Sequence, residues 1–378
     1  MQLALVAVVQ VLAMSVWFSA SAVVPILRTE WSLSREGAIL LTATVQVGFA
    51  AGAVISAALN LADRFRPQVL IGCSAFLAAG CTLAFSWCEK KIWLGIPLRL
   101  LTGFALAGVY PVGMKVVVSW FRRGRGVALG VLLAALTLGS AMPNLLAALH
   151  YGSWRPVLLT AAALAFAAGC LALAFLRIGP DHQPSPPWAP RYVLTMLAQR
   201  RQRLVCLGYF GHMWELYALW AWLPSYLGGG SGLTAFVVIG VCGAAGCLLG
   251  GVLSDRYGRA LVAASAMVIS GACGLLSVAA FGSPVFVPVL LVWGAAVIAD
   301  SGQFSAALTE AADQRYVGTA LTAMTALGFL FSVVTIQLLP LLADLTGWRA
   351  AVPVLSIGPA FGALAMYRLR TRPGLMTA

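Results

Sequence analysis

The sequence predicts an all-α integral membrane protein, twelve transmembrane helices folded as two pseudo-symmetric bundles of six. Three observations predict it. Of 378 residues, 61% are hydrophobic and only 9% charged, whereas a soluble domain is about a quarter charged. The apolar residues fall into long continuous runs, with a mean hydropathy of +0.94. Landmarks in the first half of the chain also recur in the second half at a nearly constant offset. Disorder is excluded by the same composition, because a disordered chain is poor in apolar residues.

A helix needs about 20 apolar residues to cross the hydrocarbon core. Runs of that kind lie near 4–27, 38–60, 68–88, 93–119, 127–149, 156–176, 204–227, 233–253, 260–282, 285–309, 317–342 and 350–368. They are continuous rather than alternating over ~10 residues, which argues against a β-barrel. The first run has no charged segment before it and no small-residue cleavage site after it, so it reads as a retained span rather than a signal peptide. Between the sixth and seventh runs, residues 177–203 hold Pro180, Pro184, Pro186, Pro187 and Pro190 together with five arginines. Proline resists continuous helix. The segment therefore reads as a linker between an N-terminal bundle, 1–176, and a C-terminal bundle, 204–378, with its basic end at the lipid headgroups.

The halves repeat. Asp63-Arg64-Phe65 after the second span matches Asp255-Arg256-Tyr257 after the eighth, and Gly126 matches Gly318, both at an offset of 192. Trp154-Arg155 matches Trp348-Arg349 at 194. Such repeats build two bundles of like topology around a central interface, and an interface of that kind has two rocking states.

Charge orients the spans. With the N-terminus inside, cytoplasmic segments hold Arg64, Arg66, Arg122, Arg123, Arg125, Arg177, Arg191, Arg200, Arg201, Arg203, Arg256, Arg259, Arg315, Arg368, Arg370 and Arg372. External loops hold Arg28, Arg35, Lys90, Lys91, Arg155 and Arg349, and only Arg99 and Lys115 fall within a span. Basic residues favour the cytoplasmic side, so both termini are expected there. A reporter active only in the periplasm, fused after Gln183 or Ala378, is expected to be silent; strong activity at either site would overturn the orientation. The net charge of +13 is spread over these loops. A nucleic-acid partner is excluded because it requires a clustered basic patch.

No metal or cofactor is expected. The eight cysteines form no CxxC, and His150, His182 and His212 are scattered. No G-x-x-x-x-G-K-[ST] loop is present to cradle a nucleotide phosphate.

These repeated motifs, with those below, resemble the motifs of the major facilitator superfamily of secondary transporters, over nearly the whole chain. Gly251-Val252-Leu253-Ser254-Asp255-Arg256-Tyr257-Gly258-Arg259 is similar to that family's loop signature, and the first-half copy, Asn60 to Pro67, departs from it at Asn60 and Pro67. Arg99-Leu100-Leu101-Thr102-Gly103 resembles its R-x-x-x-G motif. Gly130, Gly139 and Pro143 resemble its antiporter motif, with Met142 where that motif has glycine. The resemblance implies that Arg99 faces the cavity and takes part in proton coupling. It implies that Asp63, Arg64, Arg125, Asp255, Arg256 and Arg259 form a cytoplasmic gate, and that the protein works as a monomer.

An ionisable residue within a span is costly and normally faces protein or water. Glu215 sits mid-span in the seventh run, with His212 one turn earlier and Trp222 about 20° away around the helix. An acid and an imidazole so placed can hold or pass a proton, or can tie helices together. Asp300 lies in a polar cluster with Ser301, Gln303 and Ser305 in the tenth run. Tyr110 shares a face with Arg99, and Trp17 lies on a stripe with Gln10, Met14 and Ser21. Arg99, Tyr110, His212, Glu215, Asp300, Gln303, Trp17 and Trp222 are therefore the candidate substrate and proton path. Lys115, near the inner end of its span, is expected to snorkel to the headgroups. Asp63 and Asp255 are expected to cap the helices that follow them.

These readings converge on a proton-coupled secondary transporter of a small organic solute in a bacterial inner membrane. Arg99 and Lys115 suggest organic-anion uptake, whereas the acids and tryptophans suggest efflux of a hydrophobic or cationic compound. The rival is a non-transporting membrane protein, whether sensor, scaffold or membrane enzyme. No helix-end cluster of His, Asp and Glu supports an enzyme, and no added domain supports a sensor.

Overall fold

The computed structural model describes residues 1–121, 125–150, 152–181, 188–228 and 231–370, with only the backbone of Arg125. Eleven helices are long and apolar enough to cross a membrane. They are α1 (Gln2–Glu30), α2 (Arg35–Ala58), α3 (Pro67–Phe85), α4 (Ile92–Trp120), α5 (Gly126–Leu149), α6 (Trp154–Phe175), α8 (Gly232–Tyr257), α9 (Arg259–Ala280), α10 (Phe286–Ala311), α11 (Val317–Thr346) and α12 (Trp348–Arg370). The twelfth, α7 (Arg200–Tyr226), has 27 residues and is long enough. Its basic start, its tryptophans and tyrosines, His212 and Glu215 dilute its hydropathy. The basic end of the linker, Arg200 to Arg203, is thus the first turn of α7.

Packing follows the repeat. In the first half α2 packs on α4, α3 on α4 and α6, and α1 on α5 and α6. In the second half α8 packs on α10, α9 on α10 and α12, and α7 on α11 and α12. Adding six to each member of the first set gives the second set, which is the two-bundle arrangement expected from the offsets. The bundles meet where α2 lies on α11 and α5 on α8, again a pair related by the repeat.

Small residues allow this closeness. A Cβ at Gly103 of α4 would collide with the Val45 carbonyl of α2, and a Cβ at Gly294 of α10 would collide with the Val238 carbonyl of α8. Lipid gives helices no hydrophobic reason to associate, so backbone approach of this kind does the packing. Ends are set locally. Ser34 accepts a hydrogen bond from the Gly37 N–H at 3.1 Å and starts α2. Pro67 opens α3. Gly258 (φ 87°) turns the chain between α8 and α9, where an L side chain would be strained.

Several spans are interrupted. In α1 the helix stops at Met14 and resumes at Ser19, because the Ser15 and Ser19 hydroxyls donate back to the Leu12 and Val16 carbonyls. In α4 it stops at Leu106 and resumes at Tyr110; Pro111 has no N–H to offer the Ala107 carbonyl. In α10 the interruption is Asp300, between Ala299 and Ser301. The breaks in α4 and α10 occupy corresponding places in the repeat.

The described ends of the linker rest on both bundles. Gly179 and Asp181 donate their N–H groups to Ser119, and Ala189 donates to Thr319 Oγ1. Tyr192–Ala198 forms a short helix whose Tyr192 ring stacks on Tyr316 at 4.7 Å.

Candidate functional site

The seam between the bundles is aromatic at mid-depth. Trp17 of α1 stacks on Tyr217 of α7 at 5.8 Å and lies 4.9 Å from Phe49 of α2 and 5.6 Å from Phe329 of α11. Phe18 meets Trp220 edge-on at 6.2 Å. Toward the end that holds the α1–α2 loop, Arg35 of α2 reaches Asp344 of α11 at 3.2 Å across the halves. This pair is exposed enough that its own worth is about 0–1 kcal/mol. Toward the opposite end, which holds the α8–α9 turn, the Asp255 carboxylate of α8 lies beside Gly126 at the start of α5, 3.6 Å from where a Cβ would stand.

Arg99 is fully buried and is held by the broken turn of α1. Its guanidinium donates to the Val16 carbonyl at 3.2 Å, the Trp17 carbonyl at 2.5 Å and Ser19 Oγ at 3.3 Å. The tightened turns at 15–18 leave these carbonyls without ordinary helical partners, and a planar fork of donors suits them. Among the described residues no carboxylate pairs with it. Tyr110 lies half-buried where α4 resumes.

The face of α7 that carries His212, Glu215 and Trp222 holds together, but it is turned into its own bundle. Glu215 accepts hydrogen bonds from Ser270 Oγ of α9 at 2.8 Å and from Trp293 Nε1 of α10 at 2.7 Å. Trp222 donates to the Ile336 carbonyl of α11 at 2.9 Å. His212 does not pair with Glu215; its Nδ1 lies 2.8 Å from Asp300 Oδ1 at the break in α10. That contact is at ion-pair distance, although off the line of a hydrogen bond. Phe304 and Tyr209 wall the imidazole at 5.5 and 6.0 Å. The opposite face of α7, with Tyr217 and Trp220, is the one that meets α1. Gln303 is buried one turn inward of Asp300.

The charges expected to form the cytoplasmic gate are arranged differently from the expectation. Asp63 pairs with Lys115 of α4, both mostly buried, within the N-terminal bundle. Lys115 therefore does not simply snorkel. Asp63 lies inside the short helix Leu61–Arg64, and Asp255 inside α8, so neither caps the helix that follows. Arg259 pairs with Glu310 of α10 at 2.6 Å, and Arg256 lies over the Tyr257 ring at 5.3 Å. Arg122, Arg123 and the side chain of the expected gate residue Arg125 lie outside the described residues. Asp63→Asn is expected to lower the melting temperature in detergent by several degrees, because a part-buried contacting pair couples by roughly 0.5–3 kcal/mol. Exchanging the two charges, Asp63→Lys with Lys115→Asp, should recover most of that loss. An additive double variant would argue against the pair.

Sequence reasoning passed over Gln46 and Trp220, and the partners of Glu215, Ser270 and Trp293. Gln46, a glutamine inside an otherwise apolar span, carries the same insertion-cost signal as the acids. Ser270 and Trp293 carry none, since serine and tryptophan are ordinary in spans.

A family model described as Major Facilitator Superfamily matches residues 6–336. The chain belongs to the Major Facilitator Superfamily. It is thus a member of a family of transporters and not of enzymes. Solved structures agree in fold. The xylose transporter XylE from E. coli, in a partially occluded inward-open conformation, superposes with a TM-score of 0.76 at 14% identity, covering 97% of this chain and 96% of that one. The nucleoside transporter NupG gives 0.73 at 13%, covering 98% and 100%. The E. coli fucose:proton symporter FucP gives 0.65 at 14%, covering 98% and 100%. No curated protein matches in sequence.

Proposed function

We propose that this superfamily member is a proton-coupled secondary transporter of a small organic solute, working as a monomer by alternating access in a bacterial inner membrane with both termini cytoplasmic. The observation that carries the coupling is the environment of Glu215. Trp293 Nε1–H is a donor only and always needs an acceptor. The Ser270 hydroxyl can donate or accept. An ionised Glu215 accepts from both, as found here. A protonated Glu215 still accepts from Trp293 and turns its own O–H onto Ser270, whose hydroxyl then swings to a carbonyl one turn back in α9. Both protonation states are therefore satisfied without moving a helix. Such a site can load and release a proton without rearranging its partners. His212 and Asp300 extend the titratable set to the break in α10, a joint at which one half of that helix can move against the other.

Of the residues expected to gate the cytoplasmic side, Asp255 stands across the halves beside Gly126 and supports that role, whereas Asp63 and Arg259 brace their own bundles; Arg35 with Asp344 fits the outer counterpart. Proton coupling is further supported by the likeness to a fucose:proton symporter, and a small-molecule cargo by the likeness to nucleoside and xylose transporters. Family membership favours transport over the sensor, scaffold or enzyme readings. The test is uptake by proteoliposomes with an imposed pH gradient. Accumulation of a solute above equilibrium that collapses when a protonophore is added is the expected result. Accumulation indifferent to the protonophore would reject proton coupling.

A further inference from the structure

Six buried polar side chains at the seam between the bundles hold atoms with no hydrogen-bond partner among the described residues. They are Gln10 Nε2, Trp17 Nε1, both polar atoms of the Gln46 side chain, Ser140 Oγ, Trp220 Nε1 and Gln303 Oε1. None of these residues is more than 4% exposed. Buried polar groups in native proteins are nearly always paired, and inside a bilayer an unpaired one is more costly still. These residues come from α1, α2, α5, α7 and α10, on helix faces turned to the seam, with Gln10 further along α1 against α4.

Gln46 lies on a stripe of α2 between two contacts with α1. One turn outward, Thr42 accepts from Ser21 at 3.1 Å; one turn inward, Phe49 meets Trp17. Gln46 therefore faces α1 beside Trp17. Trp220 is joined to the same place through Tyr217, whose ring is 5.7 Å from Trp220 and 5.8 Å from Trp17. On α5, Gly139 abuts α1 and Thr137 lies 3.7 Å from Cys247 of α8. Helical periodicity then points Ser140 between those two helices, into the seam. Gln303 follows Gly302, which opposes Leu133 of α5 across the seam. Gln10 lies two turns inward of Trp17, with its Oε1 against Gly113 of α4.

The charged groups are otherwise engaged. Arg99 keeps only Nε without a partner and spends its terminal nitrogens on α1; Lys115 is paired with Asp63; Asp300 Oδ1 and the His212 ring nitrogens make no hydrogen bond but offset each other at 2.8 Å; Glu215 is held by Ser270 and Trp293. Amide, indole and hydroxyl groups remain to face a ligand, together with the aromatic faces of Trp17, Tyr217, Phe49 and Phe329.

We infer that the solute held at this seam is uncharged and hydroxyl- or carbonyl-bearing with one apolar face, rather than an organic anion or cation. Four N–H donors and a hydroxyl suit neutral oxygen acceptors, the Gln46 and Gln303 carbonyls suit hydroxyl donors, and the rings pack against the apolar face. A charged solute would enter a low-dielectric site without a free counter-charge, at a heavy desolvation cost.

The inference deepens the transport reading, and its test separates the two. Purified full-length protein is screened for thermal stabilisation by xylose, mannitol and uridine, against succinate and tetraethylammonium. Binding to the folded state raises the melting temperature. At least one neutral compound is expected to stabilise and neither ion. In the variants Gln46→Leu and Gln303→Leu its apparent affinity should fall about tenfold or more, since each loses a buried hydrogen bond. Phe166→Ala, on the outer surface of α6, should leave it unchanged. The unliganded melting temperature of each variant checks that it is folded, and Gln46→Asn serves where Gln46→Leu is not. Stabilisation by the ions alone, by no neutral compound, or equally in the wild type and the glutamine variants would overturn the site. The same compound is then offered to proteoliposomes. Binding without flux would sink the transport reading and leave the site standing, whereas flux of succinate or tetraethylammonium in place of neutral compounds would do the reverse.

Discussion

Glu215→Gln is expected to abolish concentrative uptake in proteoliposomes while counterflow exchange of labelled solute continues. The carboxylate is buried and held by Ser270 Oγ at 2.8 Å and Trp293 Nε1 at 2.7 Å. Glutamine keeps the shape. Its carbonyl accepts from Trp293 and its amide donates to the Ser270 hydroxyl, so both bonds survive with one rotor turned. The fold should be intact. Glutamine cannot titrate, so it fixes the site in the pattern of the protonated acid. A carrier locked in that form can still alternate with substrate bound, but it cannot return a proton. Accumulation driven by an acid exterior should fall by at least tenfold, with exchange within a few-fold of wild type. Full accumulation in Glu215→Gln would move the coupling role to Asp300, where Asp300→Asn, which removes the charge facing His212 Nδ1, is the next variant. Loss of exchange as well as accumulation in both would place these residues in substrate binding or folding instead.

The second large effect concerns Arg99. Arg99→Leu is expected to prevent recovery of folded protein. The guanidinium satisfies the Val16 and Trp17 carbonyls at the break in α1. Removing it leaves the Trp17 carbonyl bare at membrane depth, where an unsatisfied group costs several kcal/mol, while the Val16 carbonyl keeps the Ser19 hydroxyl at 2.8 Å. A loss of that size is a large fraction of the whole stability of many domains. Arg99→Lys should be milder. An ammonium restores the charge but not the fork that reaches two carbonyls at once, so the variant should fold with a melting temperature lowered by several degrees. Size-exclusion profiles and thermal melts in detergent decide this. A monodisperse Arg99→Leu with a wild-type melting temperature would mean that the turn holds without the guanidinium.

Much of this was legible in the sequence because the bilayer imposes it. Long apolar runs separated by basic loops give the spans, and Asp63-Arg64 recurring as Asp255-Arg256 gives the two bundles. The residues flagged by insertion cost, Arg99, Glu215 and Asp300, are the ones the structure buries with polar partners. The sequence was weakest where a span's composition blurs its edges. Arg200 to Arg203 read as linker, yet they are the first turn of α7, because the rest of that turn satisfies its backbone whether or not its side chains are charged.

Sequence alone thus determined how many helices cross, which landmarks correspond between the halves, and which residues share a face. Helical periodicity fixes relative angles on one helix, so His212, Glu215 and Trp222 were bound to lie together. It does not fix which way that face turns. Only packing decided that it looks toward Ser270, Trp293 and Ile336, and that Tyr217 and Trp220 look toward Trp17 and Phe18. Only packing brought His212 to Asp300, 88 positions later in the chain. It also gave Arg99 the backbone of α1 as its partner, because those carbonyls become available only where a helix breaks. Each of these is an azimuth or a long-range pairing, and both depend on which neighbours fill the space around a helix, which no local pattern records.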